Sequence, residues 1–206
     1  MKVRGALSQA EASDIVDVLR SDGVICIKTD TVYGLSCAST SGEAVGRIAR
    51  LKGSEKPVLL LVADASWVAG LATEVPESAE ELMRLYWPGP LTLVLRAGQD
   101  VPRWARGARD TVAVRCPASE TCRRLSAELG CALVSTSANV SGEEPCLSGL
   151  EAARRFLEEV DLVVDSGKAP TSRPSTIVDV TLSPPTLVRT GAVRIDVGAL
   201  SRLGRA

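Results

Sequence analysis

PVLLLVA, at residues 57–63, is the stretch that decides the fold. All of its side chains are apolar, so a strand here has no face suited to water and is predicted to lie centrally in a sheet covered on both sides. Shorter β-rich runs lie at residues 24–28, 91–95, 111–115, 132–135, 162–165, 175–180 and 186–189. Helical periodicity lies between them at 8–22, 42–51, 66–72, 76–86, 119–129 and 148–159. This alternation predicts an α/β fold with a mixed sheet, in a single domain over 1–206 with its core at about 8–195.

Helix ends carry their own signals. Ser8 is placed to accept a backbone hydrogen bond as the N-cap of the first helix, and Gly23 follows that helix. Gly130 follows the helix at 119–129, in the position where a left-handed glycine commonly ends a helix.

Composition excludes several classes of protein. Hydrophobic residues make up 45% and charged residues 24% of the 206 residues, which is ordinary globular usage. The net charge of −1 gives no sign of a nucleic-acid or membrane surface. No apolar run approaches the roughly 18 residues of a membrane span. Glu11, Asp14 and Asp17 near the start are untypical of a signal peptide, so a cytoplasmic location is expected.

The chain contains no histidine, which excludes Ser-His-Asp and Cys-His nucleophiles and any histidine general base. An enzyme of this composition must act by positioning and charge stabilisation, or must use Asp, Glu, Lys, Tyr or a metal, and reactions at a phosphoryl centre fit that restriction. The six cysteines form no CxxC pair, so they are expected to be reduced and mostly buried, and no protein-bound metal site is predicted.

Two polar segments follow predicted strands. TDTVYGL at 29–35 has two interpretations: a polar turn that caps the next helix, or a strand-end loop that binds a small polar ligand. STSANVSG at 135–142 contains four hydroxyls and an amide, where a helix N-cap needs only one such residue. It favours a ligand loop, because hydroxyls and backbone N–H groups together bind phosphate.

Two groups of basic residues could meet phosphates. Arg47, Arg50, Lys52 and Lys56 lie near the end of the second helix, where they either complement the helix dipole or form a cradle for a triphosphate. Residues 96–124 contain an excess of arginine that either meets ATP or RNA phosphates or forms a solvated face. No GxxxxGK[ST] or GxGxxG motif is present, and the few aromatic residues argue against base stacking as the main activity.

Seven segments in a fixed order resemble the YrdC/TsaC-type threonylcarbamoyl-AMP synthase family. They are TDTVYGL at Thr29, the lysine loop at Lys52, YWPGPLTLVL at Tyr86, DTVAVRCPA at Asp110, VSTSANVSG at Val134, PSTIVDVT at Pro174 and LVRTGAV at Leu187. The resemblance covers about residues 20–195 and is to the short form of the family, without the extra C-terminal domain.

This resemblance implies a YrdC-like (DHBP-synthase-like) fold, with a twisted sheet and a concave, positively lined groove. It implies a nucleotidyltransferase that converts L-threonine, bicarbonate or CO2, and ATP with Mg2+ into threonylcarbamoyl-AMP and pyrophosphate. The product would pass to the tRNA threonylcarbamoyl transferase machinery, which modifies adenosine beside the anticodon. Direct contact with tRNA or double-stranded RNA is a further expectation. The alternative is a YrdC-like paralogue that binds RNA or nucleotide with weak or no synthase activity.

The resemblance also implies roles for individual residues. The expected threonine contacts are Thr31, Arg115, Ser135 and Ser175. The expected ATP contacts are Lys52, Ser54, Lys56, Ser137, Asn139 and Arg189, with Lys52 and Arg115 as the catalytic pair. One departure stands out, since Ser54 occupies the place of the family's KxR arginine in a shortened loop, KGSEKP. Lys56, Arg47 and Arg50 are the candidates to replace that arginine.

Overall fold

A computed structural model describes residues 2–4, 9–53, 58–156 and 158–196, with side chains from residue 12 onward. Its helices are α1 (Gln9–Arg20), α2 (Gly42–Lys52), α3 (Val68–Leu71), α4 (Glu77–Tyr86), α5 (Glu120–Leu129) and α6 (Gly149–Arg155). Its strands are β1 (Lys2–Arg4), β2 (Ile25–Lys28), β3 (Tyr33–Ala38), β4 (Leu59–Leu61), β5 (Leu91–Arg96), β6 (Arg106–Gly107), β7 (Thr111–Arg115), β8 (Leu133–Ser137), β9 (Leu162–Val164), β10 (Thr176–Asp179) and β11 (Thr186–Arg189). Short 3-10 turns occupy Ala65–Trp67 and Arg103–Ala105.

The strands form one mixed sheet in the order β1-β9-β2-β3-β8-β4-β7-β5-β10-β11, with β6 paired to β7. Neighbours β1/β9, β9/β2, β4/β7 and β5/β10 are parallel, and the other pairs are antiparallel. The apolar strand β4 lies between β8 and β7, with Leu60 and Leu61 buried. The predicted α/β class, mixed sheet and central position of this strand are confirmed.

Hydrophobic layers cover both faces of the sheet. Helices α1 and α5 pack on one face, where Ile15, Leu19 and Leu125 meet Ile27 and Leu133. The larger core lies on the opposite face and includes side chains of α2, α4 and α6. Within the residues described, no helix has the length and apolar character needed to cross a membrane.

Two predicted helix ends, at Gly23 and Gly130, are confirmed. Ser119 caps α5 by accepting a hydrogen bond from Cys122 N at 3.4 Å, and Gly130 ends this helix with a φ of 71°. After α1, Gly23 N–H donates to Val18 O at 2.9 Å. A Cβ at Gly23 would lie 2.4 Å from that same carbonyl oxygen, so only glycine fits there. The predicted cap Ser8 and the first strand residue Pro57 lie outside the described residues.

Several local features of the structure differ from the prediction. The segment at 29–35 is a turn only as far as Val32, because β3 begins at Tyr33 and its backbone pairs with both β2 and β8. Strands β1 and β6 had no sequence signal of their own. The helix predicted to reach residue 159 ends at Arg155, since Phe156 leaves helical geometry at φ −122° and buries its ring in the core.

The cysteines behave largely as small buried hydrophobic residues. All six are free thiols, and only Cys131 is partly exposed. Burial raises the pKa of the Cys37 thiol to about 12 and that of Cys122 to about 11, so neither is a thiolate near neutral pH. Across the residues that the structure describes, no group of three or more Cys, Asp or Glu side chains is arranged to hold a metal ion.

Candidate active site

Two adjoining cavities lie against the central strands, and alternate strand residues such as Leu59 and Leu61 line the smaller one. The smaller has a volume of about 180 Å3 and is lined by Thr29, Thr31, Val32, Tyr33, Gly34, Leu59, Leu61, Thr92, Ala113, Arg115, Ser135, Thr136, Ser137, Pro174, Ser175, Ile177 and Arg189. The larger has a volume of about 650 Å3 and is lined by Gly42, Val45, Gly46, Ile48, Ala49, Lys52, Val58, Arg103, Trp104, Arg106, Thr136, Ser137, Asn139, Ser141, Gly142 and Arg189. Drug-sized ligands occupy roughly 300–1,000 Å3, so only the larger cavity matches a ligand of nucleotide size.

The turn between β2 and β3 presents Thr31 to the smaller cavity. Thr29 Oγ1 lies 2.9 Å from Thr31 Oγ1 and donates to Val32 O at 2.8 Å. Thr31 N–H in turn donates to Thr29 Oγ1 at 3.1 Å. These local bonds fix the Thr31 hydroxyl, which is buried yet lines the cavity. The segment therefore serves as a rigid polar turn whose hydroxyls face a cavity.

Arg115, at the end of β7, is 2% exposed and is oriented by bonds from three nitrogens. Its Nε donates to Gly89 O at 2.9 Å, and its Nη1 lies 3.4 Å from Thr31 Oγ1. Its Nη2 forms an ion pair with Asp30, whose other oxygen, Oδ2, is buried and accepts no hydrogen bond from the described residues. A guanidinium has five N–H groups, so one on each terminal nitrogen stays available for a bidentate contact with a carboxylate.

Ser175 and Arg189 also line the smaller cavity. Ser175 Oγ lies 2.8 Å from Thr92 Oγ1, and Arg189 Nη2 lies 3.2 Å from the same Ser175 oxygen. Arg189 Nε and Nη2 also donate to Ser175 O at 3.1 and 2.9 Å. Partial burial and the nearby charge of Arg115 lower the pKa of Arg189 from its ordinary value. Both guanidinium groups line the smaller cavity, so two positive charges there favour an anionic ligand.

Strands β3 and β8 approach closely beside Ser135. Ser36 Oγ donates to Ser135 Oγ at 3.2 Å. A Cβ at Gly34 would lie 2.8 Å from Ser135 Oγ and 3.2 Å from Thr136 O. Glycine at this position therefore leaves room for the Ser135 hydroxyl at the cavity.

Lys52 organises the loop that follows β8. Its Nζ donates to Ser137 O at 2.7 Å and to Asn139 Oδ1 at 2.8 Å, and lies 3.3 Å from Ser137 Oγ. Asn139 Nδ2 donates to Val140 O and Glu143 O, both at 2.8 Å, which holds the loop closed. Lys52 thus brings a positive charge, a hydroxyl and an amide to one wall of the larger cavity.

The structure brings most of the predicted site residues together. Thr31, Arg115, Ser135 and Ser175 line the smaller cavity, and Lys52, Ser137, Asn139 and Arg189 line the larger. Their roles toward substrates stay predictions. Ser54 and Lys56 lie outside the described residues. Thr136, Ser137 and Arg189 line both cavities, so the two spaces meet there.

Some of the basic residues singled out from the sequence line the larger cavity, and others do not. Arg47 pairs with Asp161 at 2.8 Å and does not line the larger cavity, whereas a terminal nitrogen of Arg50 lies close to Gly46, which does. Arg103 lines that cavity, and its carbonyl accepts a hydrogen bond from Arg106 N–H, but its guanidinium has no hydrogen bond or ion pair with the residues described. Arg106 lines it too, but its guanidinium is bound to Asp110 and to the carbonyls of residues 98, 99 and 101.

Three residues of the site were not singled out from the sequence, namely Asp30, Thr92 and Trp104, whereas Arg103 belongs to the arginine-rich stretch at 96–124. A lone threonine in the apolar run LTLVL was the available signal for Thr92. Asp30 lies inside TDTVYGL, but its pairing with Arg115 depends on a contact between distant strands. Trp104 belongs to a 3-10 turn with no periodic signal.

The sequence of the chain is similar to those of known proteins. A family model named Sua5_yciO_yrdC, described as "Telomere recombination", matches residues 17–191. A threonylcarbamoyl-AMP synthase of Pyrococcus abyssi (strain GE5 / Orsay) is 34% identical over 198 residues, which are 95% of this chain and 58% of that protein. One from Halorhodospira halophila (strain DSM 244 / SL1) is 37% identical over 163 residues, covering 78% of this chain and 85% of that protein.

The fold comparison agrees. The crystal structure of P. abyssi Sua5 complexed with L-threonine superposes with a TM-score of 0.91 at 31% identity, over 98% of this chain and 61% of that one. The chain thus spans about three fifths of the length of the P. abyssi protein. The match over most of the chain confirms the family predicted from the seven segments, and the chain belongs to the Sua5/YciO/YrdC family.

Proposed function

We propose that this chain is an L-threonylcarbamoyladenylate synthase, which converts L-threonine, bicarbonate or CO2, and ATP into threonylcarbamoyl-AMP and pyrophosphate. The observation that carries the proposal is the pair of unequal cavities that meet at Thr136, Ser137 and Arg189. A small amino acid and a nucleotide held in them would have their reacting atoms side by side. Family members that are 34% and 37% identical have the name of this synthase, which supports the same assignment.

The smaller cavity suits threonine in size and chemistry. We assign the substrate carboxylate to the two available N–H groups of Arg115, in a bidentate contact. The hydroxyls of Thr31, Ser135 and Ser175 offer partners for the substrate hydroxyl and nitrogen. Leu59, Leu61, Ala113 and Ile177 supply apolar wall for the methyl group. An apolar wall discriminates one methyl group by only about 1–3 kcal/mol, so serine should be a poor substrate rather than an excluded one.

The larger cavity suits ATP. Lys52, Arg103 and Arg189 bring positive charge to its walls, and Ser137 and Asn139 add a hydroxyl and an amide. Mg2+ is expected to accompany the triphosphate and to be held mainly by phosphate oxygens and water. The donor set fits that arrangement, because the described residues that line the cavity include cations, hydroxyls and an amide but no carboxylate.

The chemistry requires alignment more than proton transfer. The threonine nitrogen first forms a bond to the carbon of bicarbonate, which loses its hydroxyl as water and gives N-carboxythreonine. A carboxylate oxygen of this intermediate attacks the α-phosphorus of ATP. The new P–O bond forms as the bond to the β,γ-pyrophosphate breaks, and pyrophosphate leaves with the electron pair. Lys52 would stabilise the charge that develops on phosphate oxygens, and Arg115 would hold the nucleophile in place. No histidine is needed, because the nucleophile is already a carboxylate.

The product's role follows from the same proposal. Threonylcarbamoyl-AMP would be handed to a tRNA threonylcarbamoyl transferase in the cytoplasm for modification of the adenosine beside the anticodon. The proposal includes direct contact with tRNA or double-stranded RNA. Arginine side chains of residues 96–124 are partly engaged in bonds within the protein, for example Arg109 with Asp179 and Arg124 with Glu128.

The test is pyrophosphate release from Mg-ATP with threonine and bicarbonate, with threonylcarbamoyl-AMP identified by mass spectrometry. We expect release only when threonine is present, and a lower kcat/KM with serine. Release without threonine, or none at all, would count against the synthase. Strong salt-sensitive RNA binding without synthesis would favour the paralogue alternative, which the named relatives do not favour.

A further inference from the structure

Trp104 is an aromatic side chain that the roles assigned so far do not use. It lies on the 3-10 turn Arg103–Ala105, lines the larger cavity and is 39% exposed, whereas Ala105 beside it is fully buried. It is the one aromatic residue among the described residues that line this cavity. The exposed indole is therefore available to contact a ligand that enters the cavity.

The indole is held in place from two directions. Its Nε1–H donates to Ser39 O at 3.2 Å. Its six-membered ring rests against the start of α2, where a Cβ on Gly42 would come within 3.1 Å of a ring atom. The ring therefore has a fixed orientation without being buried. A rigid, partly exposed aromatic surface loses little conformational entropy when a planar ligand stacks on it.

The surroundings of the ring favour a planar, uncharged group next to it. Helix α2 turns Gly42, Gly46 and Ala49 toward the same cavity. A Cβ on Gly46 would meet only one atom within 4 Å, a terminal nitrogen of Arg50, so the space there is open. The cations Lys52, Arg103 and Arg189 line the same cavity, where they suit a polyphosphate. A nucleotide presents both parts: an aromatic base joined to a chain of phosphates.

We infer that Trp104 is the stacking platform for the adenine base of the bound nucleotide. The inference rests on the proposed function for the presence of a nucleotide, and it adds the residue that binds the base. Stacking on an aromatic side chain contributes about 1–3 kcal/mol per base, which corresponds to about 5- to 150-fold in affinity. Because every base has a π-face, the platform supplies affinity for the base, and selection of adenine requires other contacts.

The test compares ATP with inorganic tripolyphosphate, which has the phosphates but no base. Isothermal titration of both ligands, with Mg2+, is carried out on the wild-type chain, Trp104→Ala and Trp104→Phe. We expect Trp104→Ala to weaken ATP by about 5- to 150-fold and to change tripolyphosphate less than about twofold. Trp104→Phe should keep most of the ATP affinity, since a phenyl ring still stacks.

Tryptophan fluorescence gives a second readout that does not depend on the alanine variant folding. ATP should change the emission of the wild-type chain and of Trp67→Phe, and this change should be largely lost in Trp104→Phe although ATP still binds. Equal weakening of ATP and tripolyphosphate in Trp104→Ala, an unchanged ATP affinity, or a fluorescence change that persists in Trp104→Phe would each overturn the platform. If the wild-type chain bound neither ligand, the proposed function itself would fail.

Discussion

Replacing Arg115 by lysine should raise the KM for threonine and leave the KM for ATP nearly unchanged. The side chain is 2% exposed and lines the smaller cavity but not the larger. Lysine keeps a positive charge near Asp30, the ion-pair partner of Arg115. It loses the planar fork, and with it the bonds to Gly89 O at 2.9 Å and toward Thr31 Oγ1 at 3.4 Å.

The size of the effect follows from the number of contacts. A bidentate guanidinium–carboxylate contact becomes at best a single bond, and a hydrogen bond to a charged group contributes about 1.5–3 kcal/mol. We therefore expect the threonine KM to rise by about 10- to 150-fold, with the ATP KM changing less than about threefold. Alanine is a poorer choice, because removing one partner of a buried ion pair typically destabilises a protein by about 3–5 kcal/mol.

The assay measures initial rates of pyrophosphate release against threonine at saturating ATP, and against ATP at saturating threonine. Arg124→Lys is the matched control, since Arg124 pairs with Glu128 on the surface and lines neither cavity. Thermal melting of both variants checks that they are folded. An equal rise in both KM values, or no rise for threonine, would show that Arg115 does not bind the substrate carboxylate.

Three further predictions follow. Lys52→Met should raise the KM for ATP by about 10- to 150-fold, because a cation and its bonds to the Ser137 loop are lost; the kinetics contradict this if threonine is affected as strongly. Ser54→Arg should leave activity unchanged or raise it; a severe loss in the same assay would mean that the short loop has a geometry of its own. Burial raises the pKa of Tyr33 to about 12, above its unfolded value of about 10. The stability that this raised pKa contributes is therefore complete below about pH 10 and is lost as pH rises toward 12. The free energy of unfolding should fall less steeply over this range in Tyr33→Phe than in the wild-type chain. Equal slopes for the two proteins would contradict the raised pKa of Tyr33.

Much of the fold could be predicted because its signals are local. The run at 57–63 is apolar throughout, and a strand of that kind lies in the interior of a sheet, as β4 does between β7 and β8. The end of α5 was readable from Gly130, whose conformational freedom acts within a single turn.

Strand β3 could not be predicted, because its structure depends on distant partners. YGLSCA contains a glycine, a serine and an alanine and has little β propensity. It is a fully buried strand since β2 pairs with it on one side and β8 on the other, and Ser36 finds a hydroxyl partner in Ser135. Pairing of this kind is set by the register of the whole sheet.

The candidate site was predictable in part for the same reason. The hydroxyl-rich segments around Thr31 and Ser137 stood out by composition. Arg115 and Ser175 were identified through the resemblance to the synthase family. Their convergence on one small cavity is a result of strand order, which composition does not specify. Asp30 and Trp104 were missed because their positions matter only through contacts with Arg115 and Gly42, far away in sequence.

A structure of the chain with threonine and a non-hydrolysable ATP analogue would test the two-cavity arrangement most directly. We predict that the threonine carboxylate lies within hydrogen-bond distance of Arg115 in the smaller cavity. The α-phosphate should lie where Ser137 and Arg189 line both spaces. A nucleotide bound away from both the Thr31 turn and the Ser137 loop would contradict the proposed function.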